Sequence, residues 1–187
     1  MKRIIIIHGW YGTPATSWYG WLGAELEKLG CEVVIPAMPD TENPKVQAWV
    51  NMLAQTVGQA GEDTILVGHS LGCITILRYL ETLANRIQTG GAVLVAGFGK
   101  DLAYPGYAGE LAGFFEMPIA WEEIKAHCHK FCVISSDNDQ VVASDNHDIL
   151  VGHLNAQSMW EHGKKHMSGI DGIVELPSAL SAVKDML

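Results

Sequence analysis

The feature that most constrains this chain is an alternation along its length. Short apolar runs rich in β-branched residues, "RIIIIH" (3–8), "CEVVIP" (31–36), "TILVGH" (64–69), "GAVLVA" (91–96) and "KFCVISS" (130–136), are separated by longer segments of helical period. Runs that are apolar throughout, with no polar residue at alternate positions, are those of strands covered on both faces, as in a parallel sheet. The first intervening segment, "TPATSWYGWLGAELEKLG" (13–30), repeats its apolar residues at Trp18, Leu22, Leu26 and Leu29. Thr13 is placed to cap this helix, Pro14 suits its first position and Gly30 closes it. Further helices are predicted over 44–58, 71–84, 119–127, 144–155 and 175–186. A βαβα order of this kind builds a doubly wound α/β fold on a mostly parallel sheet. With 187 residues and no linker, repeat or charge block, the chain reads as one domain, 1–187.

Charge removes several classes of partner. The formal net charge is -9 and the 12 Lys and Arg are scattered, so nucleic acid and anionic membrane surfaces are not expected partners. "MKRIIIIHGW" starts like a signal peptide, but its apolar run is four isoleucines before His8 and Gly9. No apolar stretch approaches the roughly 20 residues that cross a bilayer, and a soluble, cytoplasmic protein is expected. Cys31, Cys73, Cys128 and Cys132 then read as reduced thiols in or near the core. "HCHKFC" (127–132) reads as the entrance to a strand, since neighbours in an extended segment point to opposite faces and leave too few ligands on one side for a metal.

Chemistry is signalled by "GHSLG" (68–72), a G-x-S-x-G match with a predicted strand before it and a helix after it. That context is a nucleophile elbow, in which a sharp turn exposes the serine and glycines make room for it. Ser70 is the candidate nucleophile. A serine needs a base, and a base needs something to orient it. In this topology the order along the chain is serine, acid, histidine, which sets aside His8 and His69 as bases. His166, in "GKKHMSGIDG", follows a short predicted strand and precedes the last helix, and it is favoured over its rival His162. The acid should lie just past a strand between them, and "FCVISSDNDQVV" offers Asp137 and Asp139. Asp137 sits where a carboxylate caps turn amides, so Asp139 is chosen to accept the second imidazole N–H. "HGWYG" (8–12) occupies the first strand-to-helix loop, where Gly9 permits a close turn. There the backbone N–H of Trp10, together with that of Leu71, is placed to bind a developing oxyanion.

One segment interrupts the alternation. Residues 97–118, "GFGKDLAYPGYAGELAGFFEMP", form a long connection at a strand end, the place where ligand-binding loops gather in open parallel sheets. Phe98, Tyr104, Tyr107, Phe114 and Phe115, with Tyr11 from the first loop, either line an apolar acyl pocket or pack the loop onto the body.

With these residues in view, the chain resembles the small, lid-poor serine hydrolases of the α/β-hydrolase superfamily, the family that includes the retinoblastoma-binding serine hydrolases. The likeness runs through "IIIIHGW", "SWYGWL", "VGHSLG", "SSDNDQVV" and "HMSGIDGIVELP". It implies a small single domain with little or no lid, and a triad at the positions of Ser70, Asp139 and His166. Gln140 and Ala143 stand where the family usually has prolines, and "KKHM" replaces a more common glycine, which implies acid and base loops that are set differently. The resemblance also implies an alternative role as a protein-binding module. The L-x-C-x-E motif for tumour-suppressor binding is absent, because "LGCEV" (29–33) ends in valine. The reading is therefore a serine hydrolase acting on a small-molecule carboxylic ester, with no metal or cofactor required and no protein partner named. A thioesterase or amidase using the same residues is the neighbouring possibility.

Overall fold

In the computed structural model, which describes residues 1–102 and 111–187, the isoleucines of the first strand divide between two cores. Strand β1 (Arg3–Ile7) turns Ile5 and Ile7 to one face of the sheet and Ile4 and Ile6 to the other, all four fully buried. The same division recurs in β4 (Gly91–Val95), with Leu94 on one side and Val93 and Val95 on the other, and in β5 (Phe131–Ser136), with Val133 opposed to Cys132 and Ile134. Two covered faces explain why these runs carry no polar alternation, and each buried isoleucine contributes on the order of 1.5–3 kcal/mol.

Among the described residues six strands form one sheet in the order β2-β1-β3-β4-β5-β6, every neighbouring pair parallel. The remaining strands are β2 (Glu32–Val34), β3 (Thr64–His69) and β6 (Gln157–Glu161). The last is the short strand expected before His166. It is an exposed edge, so it lacks the apolar run that marks the central strands. Helices α1 (Tyr19–Glu27) and α6 (Pro177–Lys184) pack on one face. Helices α2 (Val46–Val57), α3 (Leu71–Leu80), α4 (Trp121–Ala126) and α5 (Asp145–Leu154) pack on the other. This is the doubly wound α/β architecture. Among the described residues no helix is long and apolar enough to cross a membrane, and all four cysteines are free thiols.

The first helix departs from its expected start. Thr13 and Pro14 do not open it. The Thr16 amide donates to the Thr13 carbonyl at 3.1 Å and the Thr13 amide to the Thr16 hydroxyl at 3.0 Å, which closes a local turn instead. Ser17 then adopts φ +60°, outside the right-handed helical region, so the helix begins only at Tyr19. Leu29, assigned to the helix's apolar stripe, lies beyond its end and is about half exposed.

Strand order fixes where a site can form. The chain steps outward from β1 to β2 and then back across β1 to β3, so the winding reverses between β1 and β3. A crevice opens at the carboxyl ends of the strands at such a reversal. The residues after β1 are His8, Gly9 and Trp10, and the residue after β3 is Ser70.

Candidate active site

Ser70 alone makes the turn from β3 to α3, with φ +52° and ψ -116°. A non-glycine residue held there costs about 1–3 kcal/mol and persists only when its surroundings enforce it. The Ser70 amide is tied to the Val95 carbonyl at 2.9 Å, and the two flanking glycines allow contacts no side chain would permit. A Cβ on Gly72 would fall 2.3 Å from the Ile7 carbonyl oxygen, and one on Gly68 would fall 2.8 Å from the Cys73 nitrogen.

The structure brings Ser70, His166 and Asp139 into one hydrogen-bonded line. His166 Nδ1 lies 2.8 Å from Asp139 Oδ2. A carboxylate only accepts, so Nδ1 carries the proton and Nε2 is left to accept from the Ser70 hydroxyl at 3.0 Å. Asp139 is held for this task by the amides of Val141 and Val142, which donate to its other oxygen at 2.8 and 2.9 Å. Its side chain is 5% exposed and that of His166 15%, so the line is largely withdrawn from water yet open at the imidazole.

The neighbouring polar residues of "SDND" brace the loop that carries His166. Asp137 accepts from the Gly163 amide at 2.9 Å, the Ser136 hydroxyl from the Lys164 amide at 3.0 Å, and the Asn138 side-chain oxygen Oδ1 from the Lys165 amide at 2.7 Å. Asp137 also takes the Nδ1–H of His162 at 2.7 Å, which makes a second aspartate–histidine pair on the surface, away from Ser70. The amide of Gly163 and the ring of His162 hold the exposed Asp137 carboxyl below its ordinary value.

On the opposite side, Gly9 approaches the elbow closely. A Cβ there would lie 3.3 Å from the Ser70 Cβ. His8 is buried and structural, donating from Nδ1 to the Gly9 carbonyl at 2.9 Å and accepting the Met38 amide at Nε2 at 3.1 Å. Trp10 and Leu71, the latter opening α3, line the same cavity as Ser70. Cys73 is the nearest thiol to the elbow. It is fully buried, with its Sγ donating to the Val95 carbonyl, and burial pushes its pKa far up, so it stays a neutral thiol.

The cavity measures about 780 Å³, within the range of small-molecule sites. Of the pocket residues read from the sequence, Tyr11 and Phe98 line it. Phe114 does not line the described cavity, because it is buried in the core against α3. Tyr104 and Tyr107 lie outside the described residues. Five aliphatic residues of the lining escape the sequence reading: Leu102, Leu111, Val141, Ile170 and Val174. Val141 and Ile170 follow the acid and the base closely in sequence, and that adjacency was the available signal.

The family described as serine hydrolase matches this chain over residues 4–185. The chain belongs to the serine hydrolase family. Similar proteins include YdeN of Bacillus subtilis (strain 168), 35% identical over 179 residues that cover 94% of this chain and 91% of YdeN. Serine hydrolase RBBP9 of Rattus norvegicus is 30% identical over 189 residues, covering 100% of this chain and 95% of that one. The crystal structure of the YdeN gene product from B. subtilis matches this serine hydrolase with a TM-score of 0.93 at 30% identity, covering 100% of this chain and 98% of that one. Est1E from Butyrivibrio proteoclasticus, 11% identical, shares the fold with a TM-score of 0.75 over 99% of this chain and 88% of its own.

Proposed function

We propose that this serine hydrolase cleaves carboxylic esters through an acyl-enzyme formed at Ser70. The observation that carries the reading is the line Asp139–His166–Ser70, set at a strained elbow and opening into a mostly apolar cavity. His166 Nε2 takes the Ser70 proton as Oγ attacks the ester carbonyl. Asp139 keeps Nδ1 protonated and stabilises the imidazolium that forms. The amides of Trp10 and Leu71 receive the negative charge on the carbonyl oxygen. His166 then gives its proton to the departing alkoxide, and water activated by the same imidazole resolves the acyl-Ser70 ester.

The test is turnover of a short-chain p-nitrophenyl ester together with labelling by a fluorophosphonate. Wild-type protein is expected to do both, with the adduct mapped to Ser70. Ser70→Ala is expected to abolish labelling and remove all turnover beyond the background left by an oxyanion site. A folded wild-type protein that neither labels nor cleaves across ester, thioester and amide panels would overturn the reading in favour of a binding role. Preference for a thioester or amide would move the leaving group and keep the mechanism.

A further inference from the structure

We propose that His69, the residue before the nucleophile, is a positioning residue that fixes the base His166 through its main-chain carbonyl. The proposal rests on the reading of His166 as base. Its starting point is the backbone around His166, which is flanked by Lys165 at φ +50° and Met167 at φ +52°. Two left-handed non-glycine residues on either side of one imidazole do not hold themselves; the conformation needs anchors from outside the loop.

The anchors come from the elbow and from the loop before α1. His69 Nε2 lies 2.9 Å from the His166 carbonyl oxygen, and a carbonyl only accepts, so the proton is on Nε2. Trp18 Nε1–H donates to the next carbonyl, that of Met167, also at 2.9 Å. Among the described residues, the His69 bond is the one that grips the backbone of His166 itself. With Nε2 protonated, His69 Nδ1 is the acceptor, and it takes the Tyr19 hydroxyl proton at 2.7 Å. The Tyr19 oxygen in turn faces the Gly9 amide at 3.4 Å. One chain of hydrogen bonds therefore runs from the loop carrying Trp10, through the residue beside the nucleophile, to the base.

Packing and charge fit this role. His69 is 3% exposed, and its ring sits 5.1 Å, centroid to centroid, from that of His166, with Trp18 at 5.9 Å and Tyr19 at 5.8 Å. Asp139 and Asp171 face it electrostatically, but burial, and the His166 ring beside it, push its pKa down to about 3. A neutral His69 holds its tautomer at every working pH and adds no positive charge against the imidazolium that His166 becomes.

Three substitutions separate positioning from bulk. His69→Phe keeps the ring and loses both bonds. His69→Asn offers an acceptor near the Nδ1 position and loses the donor, whereas His69→Gln places an amide nitrogen near the Nε2 position and keeps it. With a p-nitrophenyl ester, His69→Phe and His69→Asn are expected to lower kcat roughly 10²-fold with KM near wild type, the scale of a displaced catalytic group. His69→Gln is expected to recover about tenfold of that loss. Imidazole ¹⁵N NMR of wild-type protein is expected to show His69 protonated at Nε2 and not titrating between about pH 5 and pH 8. Folded His69→Asn with wild-type kcat, a loss confined to KM, or His69→Gln no better than His69→Phe would overturn the proposal. So would an Nδ1–H tautomer or a titrating His69 in wild-type protein, which needs no variant to fold. Wild-type protein that takes no fluorophosphonate label at Ser70 overturns the hydrolase reading and this proposal together, whereas labelled protein with unaffected variants overturns this one alone.

Discussion

The "DND" triplet places two carboxylates two residues apart and gives them different work. Asp139 receives two amides on one oxygen and the His166 imidazole on the other, while Asp137 braces Gly163 and pairs with the exposed His162. Asp139→Asn removes the acceptor that fixes the His166 tautomer, so kcat is expected to fall by about 10² to 10⁴. Asp137→Asn keeps an oxygen for the Gly163 amide and is expected to leave kcat near wild type. Steady-state kinetics on one ester substrate decides between them, and comparable losses from both would mean that bracing the loop matters as much as orienting the imidazole. The convergence of Ser70, Asp139 and His166 was legible because each follows a strand end, and strand ends in a parallel sheet gather at one edge. The cavity rim was less so. Phe114 carries the ring that attracts attention and lies in the core, whereas Ile170, almost fully exposed at the mouth, belongs to no periodic pattern.

At the scale of elements, α3 does two jobs. Its first residue adjoins the elbow, and its last turn, with the residue that follows it, holds a largely buried ion pair. Arg78 Nη1 meets the two Glu81 carboxylate oxygens at 3.0 and 2.9 Å, with side chains 9% and 16% exposed. The guanidinium also donates to the carbonyls of Phe114, Met117 and Pro118, and Glu81 accepts the Ala120 amide at 2.8 Å. The pair thus fastens the segment leading into α4. Arg78→Met leaves Glu81 short of its cation and three carbonyls without a donor, so stability is expected to fall by about 3–5 kcal/mol in urea unfolding. A loss under about 1 kcal/mol would show that the segment is held by its apolar contacts. This staple was not legible in the sequence, because an Arg and a Glu three apart on a helix ordinarily mark a solvated face. The start of α1 was misread for a related reason. Thr13 and Pro14 carry genuine helix-start signals, but Ser17 at φ +60° interrupts the run, and the tertiary contact that explains its position is the approach of Gly169. A Cβ on Gly169 would lie 3.0 Å from the Ser17 amide nitrogen, so the first loop is shaped by the loop after the base.

The whole molecule carries a dependence on acidity that follows from where it buries its histidines. His8, His69 and His147 are 0%, 3% and 3% exposed. Burial lowers the pKa of all three from the ordinary 6.5, that of His69 to about 3. His147 is held between the Ser135 and Ser158 hydroxyls at 2.8 and 2.7 Å, joining α5 to β5 and β6 beside the base loop. In each case the native state refuses a proton that the unfolded chain accepts. Their contribution to stability is therefore whole above pH 6.5 and is lost as pH falls below it, at a slope approaching about 1.4 kcal/mol per pH unit for His69 alone. Two other effects act in this system but do not govern that window. The carboxylates held low, Asp137 by the Gly163 amide and Asp171, against its burial, by the Ser168 bonds together with the nearby His166 and Lys165, release their contribution only below their ordinary value of 3.8. The net charge of -9 relaxes on acidification and opposes the trend, but surface charges are largely screened at physiological salt. Urea unfolding at about 0.15 M salt is expected to show stability falling by more than about 1 kcal/mol between pH 7 and pH 5, and His69→Gln is expected to flatten that slope. Stability that holds level or rises over the same interval would mean that the native fold accepts these protons at little cost.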